Sequence, residues 1–146
     1  MSAAIGRLVY WFAELLVDSK SITKLYGDGA VVCTAAGSTG YYRSMGQKPF
    51  VVGTADFGIA ASNLYWPPYW SAPRVPHDSE VELRTAASNT KERPIFGYVD
   101  GRNGVQLGEI YSMKVRKSRV AAAMILYKRN YDLGVKLRRL WHPPSR

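Results

Sequence analysis

A single cysteine in 146 residues rules out a disulfide within the chain. Cys33 lies in an apolar run beside Thr34, the setting of a small buried thiol rather than a nucleophile. The two histidines, His77 and His142, sit in Pro-His-Asp and Trp-His-Pro contexts. Neither has a second histidine or cysteine at ligand spacing, so no metal site is expected. No run approaches the roughly 18 to 20 apolar residues that cross a bilayer. Residues 1–17 are apolar in patches, but Arg7 and Glu14 interrupt them and no signal-cleavage pattern follows, which makes the cytoplasm the expected location. Carboxylates are also scarce, 11 against 20 Lys and Arg, for a net charge of +9. Lys128, Arg129, Lys136, Arg138, Arg139 and Arg146 crowd residues 128–146, a basic tail opposed only by Asp132. Clustered cations attract phosphates in a salt-dependent way. No nucleic-acid motif accompanies them, so nucleic acid is not an expected partner; tails of this kind are usually solvated.

What remains is enough for one compact unit, with 47% of residues apolar by a broad count. Its patterning has mostly period two. Over residues 80–85, Val81 and Leu83 alternate with Glu80, Glu82 and Arg84, the mark of a strand with one wet face. Residues 111–117 repeat the pattern, with Tyr111, Met113 and Val115 on one side and Ser112, Lys114 and Arg116 on the other. Residues 94–99 and 120–127 read as further strands, although the alanines at 121–123 also suit a helix. Turns are expected at Asn89-Thr90, Asp100-Gly101, Asn103-Gly104 and Leu107-Gly108. The fold class is therefore mainly β, an antiparallel β-sandwich with one short helix after Gly37.

Trp66-Pro67-Pro68-Tyr69-Trp70 interrupts this pattern. Two prolines cannot donate to a central ladder, so the segment is a rigid loop or an edge crossing. It can wall a base-binding pocket, form a subunit contact, where Trp and Tyr are favoured, or plug the space under a long loop.

Residues 27–46, GDGAVVCTAAGSTGYYRSMG, carry the chemistry. An apolar strand around Val31-Val32-Cys33-Thr34 runs into Gly37-Ser38-Thr39 and then a helix start. Gly37 permits positive φ and close approach of a ligand to the main chain. Ser38 or Thr39 can cap the helix, leaving first-turn N–H groups to face an anion or a base edge. Tyr41 and Tyr42 offer faces for stacking on a nucleobase. Asp28 supplies an acceptor for an amide, an exocyclic amine or a ribose hydroxyl. The same order of residues also makes a capped turn with no ligand at all.

Taken in sequence, the segment resembles the NAD kinase family. The family's signature is close to D-G, a short apolar strand, T-P-x-G-S-T-A-Y, and then a serine and a glycine pair. This chain has Asp28-Gly29, Val31-Val32, Thr34-Ala35-Ala36-Gly37-Ser38-Thr39-Gly40-Tyr41, and then Ser44 and Gly46. Leu16-Val17-Asp18 and Gly27-Asp28-Gly29 resemble the strand and hairpin leading into the signature. Pro76-His77-Asp78-Ser79-Glu80-Val81-Glu82-Leu83 resembles a later proline, acidic and strand segment. Val99-Asp100-Gly101-Arg102 stands where a D-G-Q turn is usual. The likeness covers residues 13–127, so residues 1–127 are expected to form the family's C-terminal β-domain. It implies that Thr39, Gly40, Tyr41 and Ser44 border the adenosine end of NAD on the supporting turn Gly37-Ser38, while Asp28 meets a base or amide. It also implies a homo-oligomer in which a neighbouring subunit completes the NAD pocket.

Ala35 replaces the usual proline, Gly40 an alanine, Gln47 the second glycine and Arg102 the glutamine. At Ser71-Ala72-Pro73-Arg74 the family tends to place an arginine before a proline, and no ligand role carries over. The largest departure is an absence. The family's upstream α/β domain carries a G-G-D-G motif that handles ATP phosphates and the ribose hydroxyl, and an N-E pair that grips the acceptor ribose. Neither motif occurs in these residues. No catalytic residue is therefore assigned, and the ATP-bound Mg²⁺ of the complete reaction is expected to ride on nucleotide phosphates. The expectation is a chain lacking its catalytic half, which binds NAD(H) and needs a partner chain carrying G-G-D-G to turn over. The alternatives are a non-catalytic nucleotide-binding or oligomerisation module, and a domain related to lipid kinases.

Overall fold

The structure, a computed structural model, describes residues 11–85, 96–100, 102–106 and 112–120. The basic tail, His142, Tyr111, the turns at Asn89-Thr90 and Leu107-Gly108, and the expected strand beyond Val120 lie outside the described residues.

The chain is mainly β. Strands β1 (Trp11–Val17) and β2 (Lys20–Gly27) form a hairpin, followed by β3 (Gly29–Cys33), a 3-10 turn (Gly37–Thr39), helix α1 (Tyr41–Ser44), β4 (Asp56–Ser62) and β5 (Arg74–Pro76). Then come β6 (Val81–Thr85), β7 (Phe96–Val99), β8 (Arg102–Gln106) and β9 (Ser112–Val115). One antiparallel sheet has the order β2-β1-β6-β9, a second β3-β4-β5, and β7 pairs with β8.

The first two sheets pack face to face because their strands alternate. Trp11, Ala13 and Leu15 of β1, Leu25 of β2, and Val81 and Leu83 of β6 meet Phe57 and Ile59 of β4 in one buried cluster. Ala30 and Val32 of β3 and Val75 of β5 pack against it. The opposite face of the three-stranded sheet is also covered. There Ala60 lies in a second cluster with Ala35, Tyr42 and Phe50, flanked by Val31 and Cys33. β4 is thus buried on both faces, which explains why its sequence, DFGIAAS, does not alternate in polarity. Its second face is made of small residues. A Cβ on Gly58 would lie 2.8 Å from the Tyr42 ring and 2.9 Å from the Phe50 ring, so only glycine lets the two aromatics lie on the strand.

The β1-β2 hairpin closes at Asp18 and Ser19, whose φ values of 49° and 65° suit the two-residue turn that follows strand twist. Asp18 is pinned by its neighbour. Its N–H donates to the Glu80 carbonyl at 2.9 Å, and its Oδ1 accepts from the Glu80 N–H at 2.8 Å.

The period-two reading placed β6 correctly and Glu82 wrongly. Glu82 is only 5% exposed rather than wet. Its side chain is covered by cations on its own and the adjacent strand, Arg84 at 3.1 Å and Lys114 at 3.6 Å. Lys114 also donates to Glu80 at 2.7 Å, and Arg116 sits 3.3 Å from Glu80. The hydrogen bond from Lys114 holds the Glu80 carboxyl below the usual carboxylate range. Asn103-Gly104 differs as well. It lies inside β8, where Gly97 pairs with Val105 and Val99 with Arg102, so it forms the widened step of a bulge instead of a turn. The turn itself falls at Asp100, with φ 50°.

The aromatic loop is anchored to β2. Tyr26 N–H donates to the Trp66 carbonyl at 2.9 Å, and Tyr65 N–H to the Tyr26 carbonyl at 2.8 Å. Trp70 packs against the main core, while Trp66 and Tyr69 are exposed, Tyr69 almost entirely. Only Trp70 therefore acts as a plug.

Candidate functional site

The site is built where β3 runs out. Thr34 leaves the sheet, Ala35 and Ala36 turn the chain, and Gly37–Thr39 make one 3-10 turn before Gly40 leads into α1. Four residues of α-helix have little intrinsic stability, so the position of α1 must come from packing. Tyr42 supplies it. Its ring is buried against Phe50, edge to face at 5.8 Å between centroids.

Ser38 fixes the turn. Its hydroxyl is fully buried, donates to the Ala35 carbonyl at 2.7 Å and accepts from the Phe50 N–H at 3.1 Å. The expected N-cap is thus not formed. Ala36 and Gly40 occupy the two cap positions without side-chain cap bonds, and Ser38 points inward to satisfy a buried backbone group twelve residues on. Gly37 does not use its freedom to take a positive φ: it adopts a 3-10 conformation, and among the described residues the glycines with positive φ are Gly46 and Gly53. Tyr42 is likewise unavailable for stacking, since burial that anchors the helix hides its face.

With those anchors buried, the opposite face of the turn is presented to solvent. Gly37, Thr39, Gly40, Tyr41 and Ser44 are all exposed, Tyr41 by 72%. The Ser44 hydroxyl donates back to the Tyr41 carbonyl at 2.8 Å. These residues make one surface with hydroxyls, an aromatic ring and accessible backbone.

Asp28 stands apart. It lies at the other end of β3, and five strand residues at about 3.3 Å each put roughly 17 Å between it and the turn. The sequence-derived set is therefore two groups on one strand, which a compact ligand would not reach together and an extended one would. Asp28 Oδ2 accepts from Asn63 Nδ2 at 2.7 Å, and its N–H donates to the Ser62 carbonyl at 3.0 Å. Nothing in the residue pattern marks Asn63, which meets Asp28 only because β3 and β4 are antiparallel neighbours.

Cys33 is half-buried beside the turn. Burial pushes its thiol up to about 11, against a smaller opposing hydrogen bond with the Gly58 backbone, so it stays protonated at neutral pH. Burial, with a smaller contribution from Cys33, also raises the Tyr42 hydroxyl above its ordinary value, while Arg74 opposes the rise. Among the described residues no three His, Cys, Asp or Glu side chains gather in a way that could hold a metal ion, and no helix is long and apolar enough to cross a membrane.

Replacing Ser38 with alanine is expected to strand the Phe50 N–H in a dry setting. Such a loss costs about 1–3 kcal/mol. Urea unfolding would register it as a lower midpoint with unchanged slope; an unchanged midpoint would mean the hydroxyl is dispensable.

No family model matches the chain. Curated relatives do. An NAD kinase of Methanoregula boonei is 31% identical over 129 residues, 87% of this chain and 46% of that protein. An NAD kinase of Cereibacter sphaeroides is 28% identical over 125 residues, 85% of this chain and 47% of that protein. The chain spans about half the length of the curated relatives it matches. Among solved structures, an NAD kinase from Archaeoglobus fulgidus in complex with ATP superposes with a TM-score of 0.66 at 20% identity, covering 79% of this chain and 42% of that one. Yeast NADH kinase complexed with NADH gives 0.61 at 18% identity, over 73% of this chain and 30% of that one. At these identities the superpositions speak for the fold. Over about 85% of its own length and about 46% of theirs, the chain is a distant homologue of the NAD kinases, a span consistent with their C-terminal domain alone.

Proposed function

We propose that these residues form the acceptor-binding part of an NAD kinase, holding NAD(H) while its adenosine ribose 2′-hydroxyl is phosphorylated by ATP to give NADP. The observation that carries this reading is the division of the GSTGY segment. Ser38 and Tyr42 are locked into the core, while Thr39, Gly40, Tyr41 and Ser44 form a preorganised exposed surface. That is the arrangement recognition needs, because a ligand then pays little to order its site. Thr39, Gly40, Tyr41 and Ser44 border the adenosine end, and Asp28, oriented by Asn63, meets a base or amide farther along β3.

In the complete reaction a carboxylate takes the proton of the attacking hydroxyl, and Mg²⁺ carried on the ATP phosphates offsets charge at the transferred group. The G-G-D-G motif is absent from these 146 residues. The chain on its own is therefore read as binding dinucleotide without turnover. The G-G-D-G domain is supplied either within the same polypeptide or by a partner chain, in a cytoplasmic assembly with further copies or with that partner. The exposed Tyr65, Trp66 and Tyr69 favour such an assembly, since aromatic residues are enriched at interfaces.

Calorimetric titration with NAD and NADP tests the reading. Saturable heat at millimolar ligand or below, lost or weakened in Thr39→Ala, is expected. No heat from either dinucleotide would end the binding claim, and NADP formation from NAD, ATP and Mg²⁺ by this chain alone would end the claim that it lacks the catalytic half.

A further inference from the structure

Charge is sorted between the two sides of the molecule. The carboxylates Glu14, Glu80 and Glu82 gather on the outer face of the four-stranded sheet, each within reach of Arg84, Lys114 or Arg116. Residues 29–55, which carry the GST turn, contain no Asp or Glu, only Arg43 and Lys48, and the carboxylate that follows them is Asp56 at the start of β4. Arg74 joins this segment from β5, where it pairs with Gly58.

The Arg74 guanidinium lies over the Phe50 ring, 5.5 Å from its centroid. The same Phe50 donates its N–H to Ser38 in the turn and packs against Tyr42. Arg74 is exposed, and among the described residues no carboxylate stands within salt-bridge distance of it. A guanidinium resting on an aromatic face keeps that orientation at little entropic cost, and its N–H edge stays free to bind two oxygens of one phosphate. Neither the residue pattern nor the family likeness assigns it a role.

We propose that Arg74, seated on Phe50, is an anion subsite beside the GST turn and contacts the pyrophosphate of a bound dinucleotide. The inference rests on the NAD-binding reading for the identity of the ligand, but the subsite itself can be tested without it. A phosphate-bearing ligand would reach from the turn, where its nucleoside sits, across the Phe50 floor to the guanidinium. Charge on this face would also make binding weaken as salt rises.

The experiment is calorimetry on the full chain with three probes: NAD, adenosine and inorganic pyrophosphate. Each is titrated into wild type, Arg74→Met and Arg74→Lys, with thermal melts to establish that the variants are folded. Losing a charge-assisted phosphate contact is expected to weaken NAD and pyrophosphate about tenfold in Arg74→Met. Adenosine should be unaffected. Arg74→Lys should fall between, since it keeps the charge and loses the planar fork. The salt dependence of NAD binding should flatten in Arg74→Met only. NAD bound equally well by wild type and both variants would overturn the subsite while leaving the dinucleotide reading intact. Arg74-dependent binding of pyrophosphate, with no binding of NAD or adenosine, would uphold the subsite and overturn that reading. No binding of any probe would overturn both.

Discussion

Gly27→Ala is expected to destabilise the protein by about 3 kcal/mol, the upper part of the range for forcing a methyl into filled space. Gly27 ends β2 at the point where the chain crosses from one sheet to the other. A Cβ there would lie 2.7 Å from the Ser62 carbonyl oxygen and 3.1 Å from that of Asn63. Both obstacles are backbone, so neither can swing aside as a side-chain tip would. Ser62 is further held by its pairing with Gly29 and by the hydrogen bond from Asp28 N–H. Relief must come from moving the crossing itself, which carries Asp28 and its contact with Asn63. Gly29→Ala, two residues on, is the internal control. Its Cβ would meet only the Ser62 hydroxyl at 3.9 Å, so it should melt close to wild type. Chemical denaturation of the pair decides the matter, and equal midpoints would show that the crossing has slack.

Ile59→Ala is expected to cost about 2–5 kcal/mol, the usual range for emptying a fully enclosed aliphatic site. Ile59 has no solvent exposure and sits mid-strand in β4, paired with Val32 and packed in the main cluster between the sheets. Ile22→Ala, at a position 54% exposed, should stay within about 0.5 kcal/mol of wild type. The predicted loss has a sidedness. Ile59 points into the space between the sheets, while Gly58 and Ala60 face the turn, so if the dinucleotide reading holds, the folded fraction of Ile59→Ala should bind NAD as the wild type then does. A folded variant that has lost NAD binding would show that the two faces of β4 are mechanically coupled.

The residue pattern disclosed the sheet architecture wherever one face of a strand is dry. Val81 and Leu83 marked β6, while the first hairpin was marked by the family resemblance of Leu16-Val17-Asp18 and Gly27-Asp28-Gly29 and not by alternation. It failed where long-range pairing decided a local outcome. Glu82 read as wet because an isolated strand gives no hint that Lys114 will lie across from it. Asn103-Gly104 read as a turn because its residues suit one, yet the register of β7 against β8 made it a bulge. The order of residues around Gly37-Ser38-Thr39 located the candidate site, but not the division of labour within it. Ser38 and Tyr42 have the chemistry of ligand-facing groups, and it is Phe50, twelve and eight residues away in sequence, that turns both inward. Asn63 and Arg74 gave no signal at all, since Asn63 meets Asp28 through the pairing of β3 with β4 and Arg74 meets Phe50 through packing between segments distant in sequence.

The two-sided burial of β4 also bears on how the fold is selected. Phe57 and Ile59 are large and Gly58 and Ala60 are small, and the spaces awaiting them differ accordingly. A slip of one residue would swap the faces, driving Phe57 or Ile59 into the Tyr42 and Phe50 rings and leaving voids between the sheets. The size alternation of four consecutive residues thus works as a key that fits in one position only. The strand that reaches its native alignment is, by that act, the one that seats the turn.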